Sequence, residues 1–300
     1  MKIAITGGTG FVGKELIRLL IARGDEVYIL TRKAKDSSDQ KVTYVKWLTN
    51  DAKPEEHLEG VDAFINLAGA SINDGRWSEE QKKLIYSSRM DATNELLRII
   101  YKLQQKPKVL VNASAVGIYP PSQTVTYTEA SADLGSDFLA QTVRDWEILA
   151  HRAEKVGVRV ACGRFGIILG KNGGALPLMA LPYKLFAGGT VGSGKQWLSW
   201  IHIKDVARAI VFALDNDQLS GAFNVTAPHP KQMKEFGKEI GHALGRPHWI
   251  PVPSIAMKAV LGDKSQLVLK GQKVLPTVLE KHGFQFKFPN LRSALADIYK

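Results

Sequence analysis

Three glycines near the start of the chain, Gly7, Gly10 and Gly13, are the residues whose type and spacing most directly imply chemistry. Their spacing is G-x-x-G-x-x-G. At such positions the missing Cβ lets the chain turn at Gly7, lets a pyrophosphate approach the backbone at Gly10, and lets a helix pack close at Gly13. The chemistry is then anion binding by free N–H groups at the positive end of a helix dipole. A lone glycine triplet reads equally well as a tight strand-to-helix turn. Here its context favours dinucleotide binding. Lys2-Ile3-Ala4-Ile5-Thr6 before it is short, apolar and β-prone, and Lys14 to Arg23 after it repeats apolar residues at helical spacing through Leu16, Ile17, Leu19 and Leu20. Thr9, Phe11 and Val12 complete the turn and are expected among the cofactor contacts.

The next strand, Glu26 to Arg32, refines the nucleotide. A carboxylate at its end would bind a ribose 2′-hydroxyl, whereas Thr31 and Arg32 stand here, followed by Lys33 and Lys35. A guanidinium pairs with a 2′-phosphate, so NADP(H) is the expected cofactor. The plainer alternative is a solvated basic turn. Further on, Asp62 to Gly69 reads as a fourth strand whose small end, Leu67-Ala68-Gly69, admits a cofactor ribose.

These groups need a frame. Lys41 to Trp47 reads as a third strand and Asp51 to Gly60 as a polar connection. Ser78 to Gln105 reads as a helix capped by Ser78, with Glu79, Glu80 and Gln81 in its first turn. Lys108 to Ala113 is a fifth strand ending at Ser114. Asp137 to Val156 is a helix, and Arg159 to Leu169 a sixth strand. This rhythm predicts an α/β fold, a Rossmann-type doubly wound parallel sheet with ligands beyond the carboxyl ends of its strands. Past Gly170 the pattern changes. Lys171 to Ser199 is rich in Gly and Pro and reads as a mobile loop over a substrate pocket. Its Gly189 to Gln196 nearly spells a phosphate-binding P-loop, but Gln196 stands where Ser or Thr must hold Mg²⁺. Trp200 to Asp205 leads into a helix, Gly221 to Val225 is a short strand, and Met233 to Leu244 is a helix. The expected division is a dinucleotide-binding domain, residues 1–170 with about 200–226, and a smaller substrate-side module, about 171–199 with 227–300.

Composition bounds the reading. The 300 residues contain one cysteine, Cys162, so no intramolecular disulfide forms. Cys162 lies in an apolar run and reads as core. Neither a signal peptide nor a membrane-spanning run is legible, so a cytoplasmic protein is expected, and the glycosylation patterns at Asn112 and Asn224 carry no meaning. Of the net charge of +11, +7 falls in residues 231–300, where twelve Lys and Arg face five Asp and Glu. The basic residues are scattered without an aromatic stripe, so a field favouring an anionic small-molecule substrate is expected rather than nucleic acid. No metal site is expected. Monomer and homodimer both remain open.

The sequence resembles the extended short-chain dehydrogenase/reductases, the superfamily of sugar-nucleotide epimerases and dehydratases. The resemblance rests on Gly7 to Gly13, Asn66-Leu67-Ala68-Gly69, Asn112-Ala113-Ser114-Ala115, Arg164-Phe165 and Trp200 to Val206. Arg76-Trp77, Ser88-Arg89, Asp145-Trp146-Glu147, Gly192 to Trp197 and Gly283 to Phe286 resemble an atypical subgroup of sugar-nucleotide epimerases or cell-division inhibitors. That subgroup carries an added C-terminal domain of unknown function, matched from about Pro247 to Leu295. The resemblance implies the fold, the cofactor, and contacts from Arg89, Ser114 and Phe165.

In that superfamily a Ser and a Tyr-x-x-x-Lys pair do the chemistry: Tyr passes the proton, and Lys lowers the Tyr pKa. Ser114 matches the Ser. The helix that should hold the pair offers Phe138 or Leu139, then Thr142 or Val143, so neither register supplies it. Arg89 stands where the superfamily has Asn. Tyr119 is a candidate acid, the alternative being a packing aromatic. His202 is another, the alternative being a cap on the helix near Asp205. Arg89 and Arg164 either hold an anionic substrate or pair with a carboxylate such as Asp91. Two functions follow: an NADP(H)-dependent oxidoreductase or epimerase with an atypical site, or a catalytically inactive NADPH-binding sensor or interaction protein, for example in cell-division control.

Overall fold

The computed structural model describes residues 1–33 and 36–300; Lys35 falls outside them. Alternation within the apolar strands sets the architecture. In β1 (Lys2–Thr6), Ile3 and Ile5 enter one core and Ala4 enters another, because successive side chains of a strand point to opposite faces. A strand buried on both faces belongs inside a parallel sheet covered by helices. The other members are β2 (Glu26–Thr31), β3 (Val42–Lys46), β4 (Ala63–Asn66), β5 (Val109–Ala115), β6 (Arg159–Phe165) and β7 (Gly221–Val225). They run parallel in the order β7-β6-β5-β4-β1-β2-β3. The order reverses between β1 and β4, so the crevice beyond their carboxyl ends is the topological switch point.

Helix α1 (Phe11–Arg23) packs Leu16 and Leu20 into the first core, and α2 (Glu79–Lys102) packs Leu96, Ile99 and Ile100 into the second. Each fully buried leucine contributes roughly 1.5–3 kcal/mol. Ser78 caps α2 by accepting from the Gln81 N–H. Helix α3 (Phe138–Ala150) also lies on the second face. Cys162 is fully buried in that core, and burial pushes its thiol well above the ordinary range.

Several elements differ from their sequence expectation. The helix from Asp137 keeps α-geometry only to Ala150, and His151–Val156 is 3-10. The long strand from Arg159 breaks after Phe165. A Cβ on Gly166 would lie 2.4 Å from the Ser199 carbonyl oxygen, so the chain passes tightly there. Ile167–Gly170 then leaves the main sheet to pair with Trp200–His202. Residues 171–199 are not a bare loop. They contain α4 (Leu176–Lys184), with Pro177 in its first turn, where the missing N–H costs nothing, and Pro182 near its end. Helix α5 (Ile203–Asp215) lies against α1, and α6 (Met233–Leu244) joins α4 and the C-terminal helix Leu291–Tyr299 around a third core containing Tyr183, Trp200 and Phe236. Helix α7 (Ser254–Leu261) follows. Among the described residues no helix is long and apolar enough to cross a membrane.

Candidate functional site

The glycine turn builds the floor of the site. Gly7 has φ +67°, and a Cβ on it would lie 2.6 Å from the Leu67 carbonyl oxygen. A Cβ on Gly13 would lie 2.5 Å from the Gly7 carbonyl oxygen and 2.6 Å from Gly8 Cα. At Gly10 the same addition meets only the Gly7 oxygen, at 3.1 Å. Gly10 is the N-cap of α1, donates its N–H to the Gly7 carbonyl at 3.0 Å, and leaves the helix without a side-chain cap or a first-turn carboxylate. The end of a four-turn helix is therefore free to meet an anion.

A cavity of about 1080 Å³ opens at this turn. That exceeds the roughly 300–1,000 Å³ of a single small-molecule site and leaves room for a dinucleotide and a second ligand. Gly7, Gly10, Phe11, Val12, Gly13, Leu67, Ala68, Gly69, Arg89, Ser114, Tyr119 and Phe165 all line it, so the fold gathers most of the residues singled out from the sequence. The Phe11 ring seats against Gly170 and Gly173, where a Cβ would lie 2.6 and 2.5 Å from it. Thr9, Thr31 and Arg32 are not part of this wall. Arg32 is exposed just past β2, beside β1, and the Thr31 hydroxyl closes a local turn with Lys33.

Beneath the wall runs a buried polar network that the sequence reading missed. Thr6 Oγ1 donates to Asn66 Oδ1 at 2.6 Å and accepts from the Leu67 and Ala68 N–H groups. Asn66 Nδ2 donates to Thr93 Oγ1 at 3.0 Å and Asn112 Oδ1 at 2.7 Å, and Trp146 Nε1 donates to Thr93 at 2.9 Å. The network fixes the ends of β1, β4 and β5 and orients Trp146. The Arg89 guanidinium lies 5.2 Å from the Trp146 ring and donates to the carbonyls of Ala70 and Ile85. No carboxylate pairs with it among the described residues, Asp91 included, and burial lowers its pKa to about 10. It remains a cation with donor capacity at the cavity wall.

A second chain runs from the catalytic candidates into the sheet. Ser114 Oγ donates to Glu147 Oε1 at 2.5 Å. Arg164 grips both Glu147 oxygens at 2.8 Å and donates to the Tyr119 hydroxyl at 2.8 Å. Tyr119 in turn donates to Asn224 Oδ1 at 3.0 Å and stacks on Tyr127 at 5.2 Å. Burial opposes the Arg164 charge, but Glu147 outweighs it and holds the guanidinium above its ordinary value. Arg164 thus pairs inside the fold and is not left for a substrate.

For two catalytic candidates the geometry supports the structural alternatives named from the sequence. Burial raises the Tyr119 hydroxyl despite Arg164, and its proton is committed to Asn224. A proton-passing Tyr works best with a lowered pKa, so this environment favours the alternative of a packing aromatic, though Tyr119 still lines the cavity. His202 lies outside the cavity wall, 1% exposed. It is the N-cap of α5: Nδ1 accepts from the Lys204 N–H at 3.1 Å. Its Nε2 lies 3.3 Å from Asp297 Oδ2 without a hydrogen bond, and burial lowers its pKa. On α3, Phe138, Leu139, Thr142 and Val143 all line the cavity, so this helix presents neither Tyr nor Lys at the positions of the pair. Ser114, half of a Ser–Glu pair, lines the cavity at the end of β5. No three His, Cys, Asp or Glu side chains converge to hold a metal among the described residues.

Comparison with known proteins agrees with this geometry. The profile of the "NAD dependent epimerase/dehydratase family" matches residues 3–226, and that of a "Domain of unknown function (DUF1731)" matches residues 252–298. The "Epimerase family protein YfhF" of Bacillus subtilis is 49% identical over 298 residues, 99% of this chain and 98% of that protein. A Staphylococcus aureus epimerase family protein, SA0724, is 45% identical over 298 residues, with the same coverage. Among solved structures, the human epimerase family protein SDR39U1 (isoform2) with NADPH superposes with a TM-score of 0.88 at 36% identity, covering 100% of this chain and 99% of that one. The nucleoside-diphosphate sugar epimerase of Corynebacterium glutamicum gives a TM-score of 0.79 at 30% identity, covering 100% of this chain and 58% of that one.

Proposed function

The chain belongs to the NAD dependent epimerase/dehydratase family, and from that premise we propose that it binds NADP(H) and works as an oxidoreductase or epimerase on a small carbonyl or alcohol, sugar-nucleotide-like compounds among them. The observation that carries the proposal is the glycine cradle, where added Cβ atoms at Gly7 and Gly13 would collide with backbone and the α1 N-terminus carries no anion of its own. The residues present fit a dinucleotide pyrophosphate. Exposed Arg32 supports the choice of NADP(H), as does the NADPH bound by the human neighbour. Leu67, Ala68 and Gly69 would flank a ribose, and Arg89 would supply a cation beside Gly69. When bound, the nicotinamide supplies or accepts the hydride at a carbonyl carbon.

The remaining work falls to this chain. Ser114 gives its proton to Glu147, so its oxygen lone pairs are free to accept a substrate hydroxyl proton, while Glu147 and Arg164 fix its rotamer. Ser114 Oγ then orients a substrate hydroxyl by accepting its hydrogen bond, while Glu147 stays paired with Arg164. The pocket excludes water with Trp77, Phe138 and Val143. A cytoplasmic location, a reducing compartment that suits a lone buried thiol, is part of the same proposal. The second reading, an inactive NADPH-binding sensor, draws on the missing Tyr and Lys. Following NADPH absorbance against a panel of aldehydes, ketones and sugar nucleotides separates the two. Oxidation with some substrate that falls in Ser114→Ala supports the enzyme. Tight NADPH binding with no oxidation by any of them supports the sensor.

A further inference from the structure

Beyond the cofactor region the cavity continues between α4, residues 189–199 and residues 252–272. That half of the wall is made of Leu178, Met179, Leu181, Val191, Met257 and Leu267. Methionine and leucine in such numbers form an adaptable apolar surface. The polar groups that border it are committed to internal partners. Lys82 pairs with Asp263 at 2.9 Å and Glu79 at 3.0 Å. Lys264 donates to the carbonyls of Asn73 and Gly75. The Tyr183 hydroxyl meets His248 Nδ1 at 2.8 Å, and Gln272 Nε2 donates to the carbonyls of Val116 at 2.8 Å and Tyr119 at 3.2 Å. Lys270 reaches Gln266 Oε1 at 3.4 Å. A diphosphate needs charge-assisted donors; among the described residues of this half Lys82 is neutralised by Asp263 and Glu79, Lys264 spends its ammonium on two main-chain carbonyls, and only Lys270, at the exposed rim, has donors to spare. Arg89, a buried cation without a carboxylate partner, stands with Gly69 and Ala70 in the other half.

The entrance is apolar too. Leu178 and Leu181 line the cavity yet are 59% and 50% exposed, and Leu185 at 69% continues the same face of α4 at helical spacing. Such a track running from a pocket to the surface marks a groove for an apolar ligand. We infer that the second ligand of this site is an apolar carbonyl compound with an extended hydrocarbon portion, rather than a sugar nucleotide. The inference rests on the NADP(H) reading above and narrows its substrate class.

The test uses the NADPH-loaded protein and its own fluorescence, because Trp77 and Trp197 line the cavity. Titration with linear aldehydes from butanal to decanal should show affinity rising about fourfold per added methylene, with UDP-glucose binding more weakly than decanal. Leu181→Asp, at a half-exposed position, should keep the melting temperature and NADPH affinity but weaken decanal binding several-fold. Flat affinity along the series, or UDP-glucose binding as tightly as decanal, overturns the inference. Chain-length-dependent binding without NADPH oxidation upholds the ligand class and removes the hydride-transfer reading. NADPH oxidation by UDP-sugars alone does the reverse.

Discussion

Gly10→Ala and Gly13→Ala separate cofactor binding from folding. At Gly13 the new methyl would meet three backbone atoms, the Gly7 oxygen at 2.5 Å and Gly8 Cα and oxygen at 2.6 Å each. No side chain can yield, so α1 must move off the sheet, taking buried Leu16 and Leu20 with it. Overpacking of this kind costs about 1–3 kcal/mol. At Gly10 the methyl meets one carbonyl at 3.1 Å, and φ −77°, ψ −177° suits alanine. Losing glycine at an N-cap costs no more than about 1 kcal/mol, yet the methyl stands where a pyrophosphate must approach. The assay is thermal denaturation with and without NADPH. At a hundredfold excess over Kd the ligand adds about 2.7 kcal/mol to the unaltered protein. Gly10→Ala should melt close to the unaltered protein without NADPH and gain almost nothing from it. Gly13→Ala should melt several degrees lower in either condition. If Gly10→Ala keeps the full NADPH increment, the phosphate does not lie at this turn and the reasoning fails.

Glu147→Ala leaves the Arg164 guanidinium buried without its carboxylate and should cost about 3–5 kcal/mol in urea unfolding, whereas the Glu147→Leu, Arg164→Met pair should recover most of it. Burial lowers the His202 pKa in the fold and so favours its neutral form. Protons then bind the unfolded chain more readily, so stability should fall as pH drops through the ordinary value of 6.5 and below. His202→Asn retains a capping side chain and should flatten that slope; an unchanged slope assigns it to another group. Arg32→Asp should narrow or reverse a preference for NADPH over NADH measured by calorimetry, and equal affinities in the unaltered protein would remove Arg32 from the site.

The parallel sheet and the glycine turn were legible because their signals are local: apolar runs, three glycines at fixed spacing, and Ser78 before a helical pattern. The boundary at Gly166 was not, because Ser199, far along the chain, dictates it. Helix α4 hid behind Pro177 and Pro182, which read as breakers although one sits in the tolerated first turn. The absence of a Tyr-x-x-x-Lys pair was visible from register alone. The environments of Tyr119 and His202 were not, since Asn224 and Arg164 reach Tyr119, and Asp297 reaches His202, only after folding. Glu147 stood in a recognisable Asp-Trp-Glu run, but its bond to Ser114 spans 33 residues between β5 and α3.

Deuterium transfer separates hydride delivery by the bound cofactor from binding alone. NADPH deuterated at the transferable C4 position is incubated with the protein and decanal, and the product alcohol is examined by mass spectrometry. Deuterium should appear on the former carbonyl carbon, with the yield falling in Ser114→Ala while NADPH affinity is retained. Saturating NADPH binding with no deuterium delivered to decanal or to any carbonyl or sugar nucleotide of the panel would contradict hydride transfer.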